Sequence, residues 1–201
     1  MVKLLELGLI YWIKTRCRAI QNLELDIKAS LLDILKGNIK AVKVSARKID
    51  FQGISIESIS IDSKSISLAL ISNKKRPNVL IKDPFSIKAN LTLSEEDIQR
   101  ILTSNEWSWI CSKLLGKGQK EYRVEKITIN DSSIMINFLK YPEKTFENKT
   151  LIIDKGNKGL IFKDKATSEL YKIPIDSSIT IQNYHIQENF LFMEIMALVK
   201  P

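Results

Sequence analysis

One histidine, His185, is all the imidazole this chain of 201 residues offers for acid–base work or metal ligation. It stands between Tyr184 and Ile186 in a stretch that alternates like a strand. A cluster of histidine ligands is impossible, and a lone strand histidine without a nucleophile beside it reads as structural. Cys17 and Cys111 allow at most one disulfide, each falls inside a predicted helix, and neither has metal-ligand spacing. They read as buried or half-buried thiols of a reducing compartment. Glu95, Glu96 and Asp97 are three consecutive helical positions, which diverge around the axis and cannot share one ligand. Behind Ser94 as a cap, they suit the positive end of a helix dipole. Gly116-Lys117-Gly118 follows a helix and Gly156-Asn157-Lys158-Gly159 joins two strands. Neither presents amides at a helix N-terminus as a phosphate loop must. No enzyme chemistry and no cofactor emerge from these residues.

What the chain does spend its sequence on is one-sided β-ribbon. The spacing Ile-x-Ile-x4-Ile occurs at Ile59, Ile61 and Ile66, at Ile127, Ile129 and Ile134, and at Ile179, Ile181 and Ile186. Each instance reads as two strand residues, a polar turn and resumed alternation, the pattern of a hairpin. Val42, Val44 and Ala46 alternate with Lys43, Ser45 and Arg47, and Phe85, Ile87, Ala89, Leu91 and Leu93 form the cleanest alternation. Ile54 and Ile56 give way to Ile59 and Ile61, a change of parity that demands a bulge or bend and, with it, curvature of the sheet. The periodicity predicts a helix over 3–20, strands within 23–93, a helix over 94–115 and strands within 120–199, in a single domain spanning 1–201. The absence of β-α-β alternation makes the fold class α+β.

Apolar content of 44% and charged content of 27% are ordinary for a folded domain. No run approaches the roughly 18 apolar residues of a membrane span. The Leu-rich start is interrupted by Glu6 and followed by Lys14, Arg16 and Arg18 where a cleavage site would need small residues, so it reads as a retained helix. The expected location is cytoplasmic, including a peripheral position on the cytoplasmic face of a membrane. The net charge of +8 and the basic stretch Lys74, Lys75, Arg76, Lys82 and Lys88, opposed only by Asp83, attract either nucleic acid or an anionic membrane. Nucleic acid is the weakest partner. RNA-reading sheets alternate aromatics with basic residues, whereas these strands alternate Ile, Leu and Val.

Two amphipathic helices on a one-sided sheet make either a filled core or a groove for an acyl chain, in which each buried methylene contributes about 0.8 kcal/mol. Leu9, Trp12, Ile13, Ile98, Ile101, Trp109 and Ile110 are the helix residues expected to face such a cavity. Lys14, Arg16, Arg18, Lys74, Lys75 and Arg76 are expected to meet phospholipid headgroups on an anionic membrane surface. The rival from another class is an assembly module whose apolar helix packs on a partner protein. The oligomeric state is open.

The segments Tyr11-Trp12-Ile13-Lys14 through Asn22-Leu23-Glu24-Leu25-Asp26-Ile27, Ile34-Leu35-Lys36-Gly37-Asn38-Ile39-Lys40-Ala41-Val42-Lys43-Val44-Ser45-Ala46 and Phe51-Gln52-Gly53-Ile54-Ser55-Ile56 resemble the LmeA-type phospholipid-binding family. Leu91-Thr92-Leu93-Ser94-Glu95-Glu96-Asp97-Ile98 is similar to that family's strand-to-helix junction. The resemblance is nearest to the cyanobacterial branch, which begins directly with a Leu- and Trp-rich helix. It implies a fold like the tubular lipid-binding proteins, with a strongly curved antiparallel sheet wrapped around a long amphipathic helix and an additional N-terminal helix. It further implies phospholipid binding or transfer without enzymatic activity.

Overall fold

The structure is a computed structural model that describes residues 2–73, 76–115, 122–156 and 159–201. The fold is α+β and every strand pairing is antiparallel. Helix α1 (Val2–Arg16) leads into β1 (Ala19–Lys28), the short helix α2 (Leu31–Leu35) and strands β2 (Asn38–Ile39), β3 (Ala41–Phe51), β4 (Ile54–Ser63), β5 (Ile66–Asn73), β6 (Arg76–Ile81) and β7 (Phe85–Ser94). Helices α3 (Glu95–Thr103) and α4 (Ser108–Leu115) follow, then β8 (Tyr122–Asn130), β9 (Ser133–Lys140), β10 (Thr145–Gly156), β11 (Gly159–Asp164), β12 (Leu170–Pro174), β13 (Ile179–Gln187) and β14 (Phe190–Val199). The strands form a six-stranded sheet in the order β1-β3-β4-β7-β14-β13, a five-stranded sheet β12-β11-β10-β9-β8 and a three-stranded sheet β2-β5-β6. Among the described residues no sheet closes into a barrel.

Both predicted helices change. The first stops at Arg16 rather than at residue 20, because the Arg18 N–H donates to the Asp50 carbonyl at 2.8 Å and Ala19 pairs with Asp50, drawing the chain into β1. The second is not one long amphipathic helix but α3 and α4. Ser104 adopts an extended backbone, and its Oγ accepts the Trp107 N–H at 3.2 Å. Contacts made by the break itself hold it: Arg18 pairs with Glu106 at 2.7 Å, and the Trp107 indole donates to the Gln52 carbonyl at 3.0 Å. At the start of α3 the three acids take three different partners. Asp97 completes a capping box with Ser94 and accepts from Ser55 Oγ at 2.6 Å, Glu95 accepts the Ile129 N–H at 2.7 Å, and Glu96 pairs with Arg100.

Of the three isoleucine repeats only the middle one is a hairpin, with Ile129 opposite Ile134 across the Asp131-Ser132 turn. After Ser63 the chain leaves the six-stranded sheet, so Ile66 opens β5 beside β2. The third repeat lies wholly inside β13, which absorbs its extra residue as an irregularity between Ile181 and Asn183. The glycine turns at Gly116-Lys117-Gly118 and at Asn157-Lys158 fall outside the described residues.

The core is concentrated in one half of the molecule. Helices α3 and α4 are packed among the five-stranded sheet and the β7–β14 part of the six-stranded one, burying Leu102, Leu114, Ile127, Ile129, Ile136, Phe138, Leu151, Leu191 and Met193. In the other half Gly37 ends α2 at φ +75°, and its carbonyl accepts the Leu68 N–H at 2.7 Å. A Cβ there would sit 2.2 Å from the Leu68 carbonyl oxygen. Gly37→Ala is therefore expected to cost about 2–4 kcal/mol, from left-handed backbone strain plus displacement of β5. A lowered urea midpoint at unchanged slope would register it.

Candidate functional site

The six-stranded sheet is strongly two-faced. One rung across it, Leu25, Val44, Ile61, Ala89, Ile195 and Ile181, is apolar in every strand. The opposite face carries Glu24, Ser45, Arg47, Ser60, Asn90 and Thr92, and its two lysines pair with acids, Lys43 with Asp62 at 3.2 Å and Lys88 with Glu194. At the β13 end the apolar face meets the filled core, where the Tyr184 hydroxyl donates to the Ile153 carbonyl at 2.6 Å. Toward the β1-β3-β4 end α1 lies over it, and the space between is an open apolar cleft of about 460 Å³. That volume lies within the usual range for small-ligand sites.

A crease in the sheet shapes this cleft. Strand β1 changes parity at Asn22 (φ 48°) and β3 at Lys48 (φ 48°), while β4 changes it at Glu57, whose carboxylate pairs with Lys48. Pairing stays in phase across the crease, with Arg47 opposite Ser58 and Ile49 opposite Ile56, because both strands skip a residue at the same level. Ile20 and Leu23, Ala46 and Ile49, and Ile56 and Ile59 consequently all reach the cleft. The parity change expected between Ile56 and Ile59 is thus one of three aligned changes.

Helix α1 supplies the other wall. Its turns place Leu5, Leu9 and Ile13 on one stripe, and Trp12, Ile13 and Arg16 line the cleft. Leu9 sits one turn further on, in a shallow apolar site with Leu4, Leu5, Gly8 and Ile34. Glu6 fastens the helix to the sheet edge by accepting the outward Ile27 N–H at 3.1 Å. At the mouth, the Arg16 guanidinium lies over the Trp12 ring at 5.5 Å and pairs with no carboxylate among the described residues. Arg18 is committed to Glu106. That carboxyl is held below its ordinary range by its own backbone N–H and then by Arg18. Cys17 is the one nucleophile type in the lining, and burial, followed by the charge of Asp50, pushes its thiol up and keeps it neutral. Cys111 is buried elsewhere, in the filled core, and burial lifts it to about 11. Such a cleft can hold an apolar chain and offers no poised acid or base.

The predicted cavity residues do not come together. Trp12 and Ile13 line the cleft and Leu9 extends its stripe, but Ile98, Ile101 and Ile110 pack against the filled core. Trp109 is partly exposed beside Trp107, their rings 6.4 Å apart. Among the basic residues, Lys14 and Arg16 occupy the last turn of α1. Lys74 and Lys75 lie outside the described residues, and of Arg76 only the backbone is described, opposite Asn73. Sequence reasoning missed the sheet floor, Val44, Ala46, Ile49, Ile59 and Ile61. The signal that could have found it was the parity change, repeated in β1 and β3.

A family model described as LmeA-like phospholipid-binding matches residues 5–168, a span containing α1 from Leu5 onward and the entire cleft lining. No curated protein and no solved structure matches the chain.

Proposed function

Because the chain belongs to the LmeA-like phospholipid-binding family, we propose that it holds a phospholipid non-enzymatically in the cleft between α1 and the creased β1-β3-β4 floor. The observation that carries this is the cleft itself, an open apolar volume on a sheet whose other face is polar. A dozen buried methylenes would contribute roughly 10 kcal/mol before the costs of ordering the chain, enough for firm binding without a catalytic group. Arg16 and Lys14 stand at the rim to meet the headgroup, and each cation near an anionic leaflet adds about 1 kcal/mol. The whole chain works as one unit at a membrane surface, binding or transferring lipid. In this arrangement α1, which packs along β1 and has no buried residue, is the nearest counterpart of the helix that a tubular lipid-binding fold would enclose.

Native mass spectrometry of the purified protein, followed by organic extraction, tests this. Phospholipid at near one per chain is the expected result and would give the cargo class. An apo mass that stays apo after incubation with vesicles overturns it and favours the assembly module.

A further inference from the structure

Helix α2 is a single turn of Leu-Leu-Asp-Ile-Leu, too short to persist alone in water. It is nevertheless tightly built. Ser30 and Asp33 form a reciprocal capping box, the Lys36 N–H closes the C-terminus, and Gly37 ties the end to β5. What this small scaffold presents to solvent is hydrocarbon, with Leu32 67% and Leu35 66% exposed and Leu31 beside them. Its fourth apolar residue, Ile34, faces the α1 stripe, and α1 itself turns Leu4, Leu7 and Tyr11 outward, Leu4 at 74% exposure. Apolar surface gathered on two adjacent helices marks a docking site.

Charge selects the occupant. Lys3, Lys14 and Lys36 flank the leucines and pair with no carboxylate among the described residues, while the acids of the region are committed. Asp33 is held down at about 2, first by Ser30 and then by Lys40, and Glu6 accepts the Ile27 N–H. Tyr11 and Trp12 lie between the leucines and Arg16, and amphipathic rings of this kind settle at headgroup level. Hydrocarbon without directional polar partners, an aromatic band and unpaired cations complement an anionic bilayer. The α1 stripe then runs unbroken from this surface to the cleft.

We infer that α2 and the outer side of α1 form a membrane-insertion edge, with Leu31, Leu32, Leu35, Leu4 and Leu7 entering the acyl boundary of an anionic leaflet. The inference rests on the phospholipid-binding reading of the cleft. The test is co-sedimentation of the full chain with phosphatidylcholine vesicles, with and without phosphatidylglycerol, for the wild type and for Leu32→Asp/Leu35→Asp. The wild type should sediment with the anionic vesicles, and the double variant should bind them about tenfold or more weakly while keeping its extractable lipid. The neutral pair Leu32→Gln/Leu35→Gln should lose binding too, which separates lost insertion from added repulsion.

Sedimentation of both variants like the wild type overturns the inference. So does loss of vesicle binding together with extractable lipid, which would make the patch part of the lipid site. A wild-type dimer that the variants convert to monomers also overturns it, because a second copy would then cover the leucines. If no preparation carries lipid yet the variants still release the vesicles, docking stands and the cleft assignment fails.

Discussion

Ala46→Phe should strip the protein of its lipid while leaving it folded. Ala46 is the smallest side chain on the cleft floor, flanked by Val44 and Ile49 on its own strand and opposite Ile59 on β4. A phenyl group there rises into the 460 Å³ that the proposed acyl chain would occupy. Ala46 itself is buried, so overpacking should cost about 1–3 kcal/mol, which lowers the melting point but leaves most of a usual domain's stability. Displacing even two methylenes of ligand forfeits about 1.6 kcal/mol, more than tenfold in affinity. Mass spectrometry would read the occupancy and a melting curve the fold. Ile61→Asp gives an independent check, since a carboxylate at that half-buried rung stays partly hydrated without ligand but would be stranded against hydrocarbon with it. Full lipid occupancy in both variants would place the lipid elsewhere.

How much of this was legible beforehand depended on whether a pattern was local. Period-two alternation is local, and it placed nearly every strand because each strand of the large sheet has one apolar face. The α+β class and the helix start at Ser94 were equally readable, the latter from a cap and three acids whose partners proved to be the cap, a neighbouring strand and Arg100. Tertiary pairing was not readable. The segments beginning at Ile59 and at Ile127 share the same isoleucine spacing over ten residues, yet only the second turns back on itself. In the first, β4 is already paired on both sides by β3 and β7, leaving no edge for β5. The helix over 94–115 failed for a related reason. Its apolar spacing continues through 104–107, but Ser104 turns to accept the Trp107 N–H, and Glu106 and Trp107 find partners on Arg18 and Gln52 that a straight helix could not reach.

The same distinction explains the candidate site. Apolar periodicity identifies faces that must leave water and is silent on whether protein or ligand covers them. Ile98 and Ile13 look alike in sequence. Ile98 packs against the filled core, while Ile13 faces a cleft, because among the described residues the five-stranded sheet makes no substantial contact with β1 or β3. Parity carried more information than hydrophobicity. Residues 20 and 23, 46 and 49, and 56 and 59 can share one face only if three adjacent strands crease together.

A core substitution should give the opposite result from Ala46→Phe. Phe138 is fully buried, 0% exposed, with the Tyr122 ring edge-on at 6.4 Å. Phe138→Ala should cost about 3–5 kcal/mol, because the transfer energy of the ring is lost and the surrounding isoleucines cannot collapse into the space. That is a large part of the roughly 5–15 kcal/mol that usually holds a domain together. The denaturation midpoint should fall steeply. Lipid per folded molecule should not change, since the buried cleft residues Ala46 and Ile49 lie outside the core cluster that holds Phe138, and among the lining residues Ile56 alone packs against that cluster. Together the two variants partition the molecule into a half that supplies stability and a half that holds the ligand. Loss of lipid from folded Phe138→Ala would mean that the cleft depends on the core's packing, and the ligand would then have to reach beneath α3.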